Sequence, residues 1–130
     1  MIVSKTPLRI SFVGGGTDFG SFYKKNSYGL VVNTSIDKYI YVSVKKLNPV
    51  FHEKFRLNYS ETEMVDHVKN IKNPIIRECI KFLNIDDRLY ISTIADVPSS
   101  TGLGSSSSFT VGLLNALYDF KNQKVSLARL

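Results

Sequence analysis

Long apolar runs are missing from this 130-residue chain, and cysteine is nearly so. The longest hydrophobic stretches fall far short of the ~20 residues that a bilayer-crossing helix needs, so no membrane span is expected. A single cysteine, Cys79, cannot close an internal disulfide, which fits a reducing cytosol. Histidine is scarce as well. His52 and His67 stand apart, with no cysteine or carboxylate at zinc spacing, so no such metal site is expected. No leader of basic, apolar and small-residue regions opens the sequence, which points to a cytoplasmic protein. Nor does any aromatic-interleaved basic strand, zinc-finger spacing or helix-turn-helix signature speak for nucleic acid.

What is present describes a soluble globular domain with a real core, at 43% hydrophobic and 22% charged residues. The net charge of +6 suits an anionic ligand such as a nucleotide or a sugar phosphate, but it would suit nucleic acid too. Solvated surface lysines are the commoner explanation, so charge alone decides nothing.

Strand and helix patterns alternate along the chain. "TPLRISFVGGG" predicts a strand over residues 8–13 that ends in a triple-glycine turn. Two more β-rich runs, 30–36 and 39–44, flank Asp37-Lys38, read as a tight connection. "KFRLNYS" is a short strand candidate. Ser60 and Glu63 form a Ser-x-x-Glu capping box, which predicts a helix beginning there. Asn73-Pro74 breaks that pattern and opens a second helix, with Ile75, Ile76, Cys79, Ile80 and Leu83 on one face. "RLYISTIADV" is the last strand. The final helix covers "SSSSFTVGLLNALYDF", with Phe109, Leu113 and Leu117 as its core stripe. No internal repeat or low-complexity linker appears, so a single domain is expected. The tail "KVSLARL" places a cap serine, Ser126, before only four residues, too few for a helix. It reads as the front part of a longer chain.

The most informative stretch lies between the last strand and the final helix: "ADVPSSTGLGSSSSFT". Strand, Gly102-Leu103-Gly104-Ser105-Ser106, then helix is an arrangement for holding an anion. The first amides of a helix lack internal partners and carry partial positive charge. Glycines let backbone approach a phosphate, and nearby hydroxyls can donate to phosphate oxygens or ligate Mg²⁺. A plain serine N-cap would need one serine, and four in a row lower helix propensity. No Gly-Lys-Ser or Gly-Lys-Thr follows, so a P-loop fails. Gly102-x-Gly104-x-x-Ser107 only approximates the dinucleotide fingerprint: Val97 and the residues after it separate it from its strand, and Asp119 falls in a helix rather than at a strand end. Ser106 has no histidine and aspartate partners in a nucleophile elbow, so acyl transfer is not supported.

"PSSTGLGSSSS", residues 98–108, resembles the second motif of the GHMP kinases, the superfamily of galactokinase, homoserine kinase, mevalonate kinase and phosphomevalonate kinase. "KTPLRISFVGGGTDF", residues 5–19, resembles their first motif, with Pro7, Arg9, Gly14, Thr17, Asp18 and Phe19 on its pattern. Gly15 and Gly16 stand where galactokinases carry an acidic-histidine pair, which argues against galactose. They look instead like the branch of D-glycero-D-manno-heptose 7-phosphate kinases and fucokinase-like sugar kinases, as do residues 33–42 and 73–82.

The resemblance implies an α+β fold of the ribosomal protein S5 domain 2-like type, a mixed β-sheet with helices packed on one side. It implies a loop of Pro98, Ser99, Ser100, Thr101, Gly102, Leu103, Gly104, Ser105, Ser106 and Ser107 around the phosphates of ATP, with Ser106 near Mg²⁺ and Ser105 as the next candidate. Arg9 would be the catalytic cation. Asp18, with Thr17, Gly15, Gly16 and Lys5, would bind the sugar phosphate. From local sequence alone, Arg9 could equally pair with a carboxylate, Asp18 could serve an Asx turn, and Lys5 could be merely solvated. Asp96 is expected to order its turn. The implied activity is phosphorylation of the anomeric hydroxyl of heptose 7-phosphate in the cytoplasm, with fucokinase-like chemistry or a non-catalytic nucleotide-binding domain as alternatives. A homodimer is compatible with it. Family members usually draw a catalytic aspartate from well beyond the second motif. Residues 1–130 are therefore expected to be an N-terminal ATP-binding domain, truncated and incomplete for catalysis.

Overall fold

The computed structural model describes residues 1–98, 101–126, 128 and 130. Five strands form one mixed sheet: β1 (Ile2–Val13), β2 (Val32–Lys46), β3 (Phe55–Asn58), β4 (Thr62–Val65) and β5 (Leu89–Ala95). Their order across the sheet is β1-β2-β5-β3-β4, antiparallel throughout except for the parallel pair β3 and β5. Helices α1 (Gly20–Asn26), α2 (Pro74–Phe82) and α3 (Ser105–Phe120) complete the chain, with a 3-10 turn at Val68–Asn70.

Alternation along the strands decides which face is covered. Ile40, Val42 and Val44 of β2, Phe55 and Leu57 of β3, and Leu89 and Ile91 of β5 are buried. Against them pack Ile76, Cys79 and Ile80 of α2 and Phe109, Leu113, Ala116 and Leu117 of α3. The stripes expected on both helices are therefore core. α2 starts at Pro74 as the sequence predicts, and Asn73 caps it: its Oδ1 accepts from the Ile76 amide at 3.1 Å. The α+β expectation holds, with α2 and α3 on one side of the sheet.

Three local expectations do not hold, and one helix was not expected. First, β1 begins at Ile2 rather than Leu8, because Ile2 to Lys5 pair with Val44 to Tyr41 of a strand distant in sequence. Second, Asp37-Lys38 is not a turn between two strands. β2 runs straight through, and the register steps from Pro7–Tyr39 to Arg9–Ser35, which sets residues 36–38 opposite Leu8 alone. Third, no helix begins at Ser60. Residues 62–65 form edge strand β4 on β3, and Glu63 turns inward to other partners. The unexpected helix is α1, which carries no buried residue and so lacks the apolar stripe that would have announced it. Past Phe120, the described residues hold no further helix or strand.

Candidate functional site

β1 and β5 run in the same direction on either side of β2, and α3 begins at their C-terminal ends. The N-cap of α3 is Gly104, in the left-handed region at φ 72°, and no side chain among the described residues caps the helix. Ser108 closes the first turn by donating its amide to the Gly104 carbonyl at 3.0 Å. Helix geometry thus leaves the amides of Ser105, Ser106 and Ser107 without intrahelical acceptors. The four serines divide their work. Ser108 is buried and donates its hydroxyl to the Pro7 carbonyl at 3.0 Å, tying α3 to β1. Ser106 and Ser107 are exposed at the helix start, and Ser105 is half-buried. Pro98, Thr101 and Gly102 are exposed on the approach. Ser99 and Ser100 lie outside the described residues.

Arg9 meets this helix start directly. Its amide donates to the Leu103 carbonyl at 3.0 Å, and its side chain lies against Gly104. A Cβ on Gly104 would stand 3.0 Å from Arg9 Cγ and 3.1 Å from Nε. The guanidinium donates to Ser11 Oγ at 2.5 Å, and among the described residues Arg9 has no carboxylate partner. A fixed cation therefore adjoins the positive end of a helix, with no protein anion between them.

The glycine turn after β1 is a packed device. A Cβ on Gly14 would stand 1.9 Å from the Leu30 carbonyl oxygen, and one on Gly29 would stand 1.8 Å from the Thr17 carbonyl oxygen. The Thr17 hydroxyl lies 2.8 Å from the Gly14 carbonyl oxygen and 2.9 Å from that of Leu30. Thr17 thus holds the turn shut, and its hydroxyl is engaged by the chain itself. Asp18 is exposed, and one carboxylate oxygen accepts from the Gly16 amide at 3.1 Å. That is the local turn role, and it leaves the second oxygen free of protein donors among the described residues. Nothing among the described residues approaches Gly15 within 4 Å of where a Cβ would stand.

Lys5 does not join this cluster. Its ammonium lies 3.7 Å from the Tyr39 ring centroid, beside Tyr41. Those residues alternate with buried Ile40 and Val42, so Lys5 stands on the sheet face opposite α3. There its cation is stacked on an aromatic ring, away from the face that carries α3. Asp96 orders its turn as expected, accepting from the Tyr39 amide at 2.8 Å and returning its own amide to the Tyr39 carbonyl at 3.0 Å.

Sequence reasoning missed a cleft of about 390 Å³ beside the start of α3. Ile40, Thr93 and Ala95 form its sheet side, and Tyr59, Ile75 and Phe109 add apolar surface. Asn73, Ser60, Ser105 and Ser106 provide polar groups. The Thr93 hydroxyl is buried without a hydrogen-bond partner. An apolar slot with a few polar groups, opening onto a helix N-terminus beside an arginine, suits a flat aromatic base attached to phosphates. No sequence pattern could announce it, because its walls come from β2, the β3–β4 turn, α2, β5 and α3. No group of three or more histidine, cysteine or acidic residues gathers as a metal site among the described residues. Hydroxyl oxygen at Ser106 fits only a hard cation whose other ligands are phosphate and water.

Comparison with known proteins agrees with this geometry. Residues 66–130 match the family described as GHMP kinases N terminal domain. A D-glycero-alpha-D-manno-heptose 7-phosphate kinase of Campylobacter jejuni is 32% identical over 133 residues, covering 93% of this chain and 38% of that protein. A galactokinase of Pyrococcus furiosus is 29% identical over 134 residues, covering 95% of this chain and 35% of its own length. The crystal structure of a D-glycero-D-manno-heptose 1-phosphate kinase from Bacteriodes thetaiotaomicron superposes with a TM-score of 0.80 at 22% identity, covering 99% of this chain and 45% of that one. The chain thus spans well under half the length of each of these proteins. With a family match over half its residues, the chain belongs to the GHMP kinases, as a representative of their N-terminal domain.

Proposed function

We propose that residues 1–130 are the ATP-binding domain of a sugar kinase that moves the γ-phosphoryl group of ATP to a sugar hydroxyl. The sugar best supported is D-glycero-D-manno-heptose 7-phosphate, phosphorylated at its anomeric hydroxyl. The name of one relative, a heptose 7-phosphate kinase 32% identical to this chain, supports that choice. The observation that carries the reading is the Arg9 side chain against Gly104, at an uncapped helix start with a base-sized cleft beside it.

Phosphoryl transfer asks a protein mainly for positioning and charge neutralisation. The cleft takes the adenine base. The loop of residues 98–107 and the amides of Ser105, Ser106 and Ser107 take the triphosphate. Arg9 is catalytic: its guanidinium faces the charge that grows on the transferred group, a role for which removal of one such donor typically costs about 100-fold to 1,000-fold in kcat. Magnesium, held by phosphate oxygens and the Ser106 hydroxyl, would neutralise further charge there. Asp18 accepts from sugar hydroxyls through its free oxygen, over the open ground at Gly15 and Gly16. Thr17 serves by keeping the turn closed. The group that takes the proton from the acceptor hydroxyl belongs, on this reading, to a further domain.

The test is ADP release by the full polypeptide with ATP and a panel of sugars. Heptose 7-phosphate should give the highest kcat/KM, and Arg9→Ala should abolish most of it. Preference for fucose would move the assignment to a fucokinase-like enzyme. Nucleotide binding without turnover on any sugar would leave a non-catalytic nucleotide-binding domain.

A further inference from the structure

Glu63 is a charged side chain only 6% exposed, and it does not line the cleft. Its carboxylate is nonetheless engaged by two residues that do, and by the Lys72 amide beside one of them. Oε1 accepts from the Tyr59 hydroxyl at 2.6 Å and from the Asn73 amide at 3.1 Å, and Oε2 accepts from the Lys72 amide at 2.7 Å. Tyr59 and Asn73 are both cleft residues, and they come from separate stretches of chain. Tyr59 follows β3, whereas Asn73 caps α2 and so sets where Ile75, another cleft residue, is presented.

We propose that Glu63 is a positioning residue for the nucleobase: its buried carboxylate binds Tyr59 to the Lys72–Asn73 amides and so holds the cleft at the width of a base. This rests on the nucleotide reading given above. A buried carboxylate that served stability alone would need its partners satisfied, but it would not need them to be two parts of one cleft wall. β4, which carries Glu63, is an edge strand paired only with β3. The carboxylate thus adds a direct tie between this edge strand and the start of α2, beside the packing of Ile76, Cys79 and Ile80 on the sheet. Without the link, the Tyr59 ring and the start of α2 can drift apart. A base then meets a site that is open part of the time, and apparent affinity falls by the fraction of time it is formed.

Two conservative variants of the full polypeptide test this with the ATP analogue AMPPNP. Glu63→Gln keeps the shape but removes the charge and one acceptor oxygen. Tyr59→Phe keeps the ring and removes only the phenolic donor, and it remains informative should the first variant fold poorly. Glu63→Gln is expected to raise the Kd for AMPPNP ~10-fold and Tyr59→Phe ~3-fold, as the formed fraction of the cleft drops. KM for ATP should rise in step, while kcat and the sugar KM change by less than about twofold, the pattern of lost uniform binding. Amide exchange at Lys72 and Asn73 should quicken in both variants while the Leu113 and Leu117 amides keep their protection. Faster exchange at Lys72 and Asn73 with an unchanged Kd would make Glu63 merely structural and overturn the proposal. A kcat that falls with KM unchanged would overturn it too. Wild-type protein that binds no AMPPNP would instead sink the nucleotide reading itself, and this inference with it.

Discussion

Gly104 and Arg9 touch where α3 begins, so closely that a single methyl group on the glycine would press on both Cγ and Nε of the arginine. Through that contact the first and second motifs of the chain become one site. It also gives two otherwise similar glycines different consequences. Gly102 and Gly104 both adopt positive φ, 74° and 72°, so alanine at either costs about 1–2 kcal/mol of backbone strain. At Gly102 nothing among the described residues lies within 4 Å of the added Cβ, whereas at Gly104 the arginine must move. Gly104→Ala is therefore expected to lower kcat/KM at least ~10-fold more than Gly102→Ala, with similar losses in melting temperature, since a small displacement of a charge-stabilising group is costly. Equal losses in kcat/KM would show that the Arg9 contact is incidental.

Farther along α3, Gly112 serves packing. A Cβ there would stand 2.6 Å from Thr6 Oγ1 and 3.4 Å from Ser4 Oγ, so α3 lies on β1 at the distance only glycine permits. Gly112→Ala should destabilise the fold by about 1–3 kcal/mol through overpacking, although alanine is the better helix former by ~1 kcal/mol. Thr6→Ala removes the obstructing hydroxyl. Combining the two should recover about 1 kcal/mol relative to the sum of the single changes. Urea midpoints of the four proteins measure it, and strict additivity would place the strain elsewhere.

The parts of this fold written in local order were legible. Alternation marked β5 and the central run of β2, and Asn73-Pro74 marked the start of α2 by capping chemistry that needs no distant partner. The segment between β5 and α3 stood out because its composition makes poor sense as core or as linker. What failed depended on partners remote in sequence. Ser60-x-x-Glu63 satisfies the local pattern of a cap, but Glu63 finds a better arrangement with Tyr59 and two amides near residue 72, and β3 captures residues 62–65. Asp37-Lys38 resembles a turn only until β1 is laid beside it as a continuous partner. The cleft was invisible because its walls come from separate elements.

Cys79 supplies a test of the core. It packs between α2 and the sheet at 6% exposure, and burial, with a smaller contribution from Glu78, pushes its thiol up to about 11. Thiolate is the reactive form, so at pH 8 only about 0.1% of this thiol is ionised, and that fraction is sheltered. Iodoacetamide should leave the folded protein unlabelled over hours and label it within minutes in concentrated urea. AMPPNP should not alter the folded rate, because Cys79 does not line the cleft. Rapid labelling of folded protein would mean that α2 opens readily, against the packing seen here.

Acid should weaken the protein through Glu63 more than through its surface pairs. Burial alone would raise this carboxyl, but the hydrogen bonds from Tyr59, Lys72 and Asn73 and the Lys72 charge outweigh it and hold the group below its ordinary 4.5. A carboxylate lowered in the folded state binds fewer protons than its unfolded counterpart. Its stabilisation is therefore complete above about pH 4.5 and lost as pH falls through the lower folded value. Glu53, Glu78 and Asp86 are lowered as well. The Glu78 and Asp86 pairs, at 60% and 100% side-chain exposure, face solvent and are screened by salt. Urea midpoints measured from pH 7 down to ~3 in 0.5 M salt should therefore still fall for the wild type, while Glu63→Gln should start lower and give a flatter profile. Parallel profiles for the two proteins would show that the buried carboxylate does not govern acid stability.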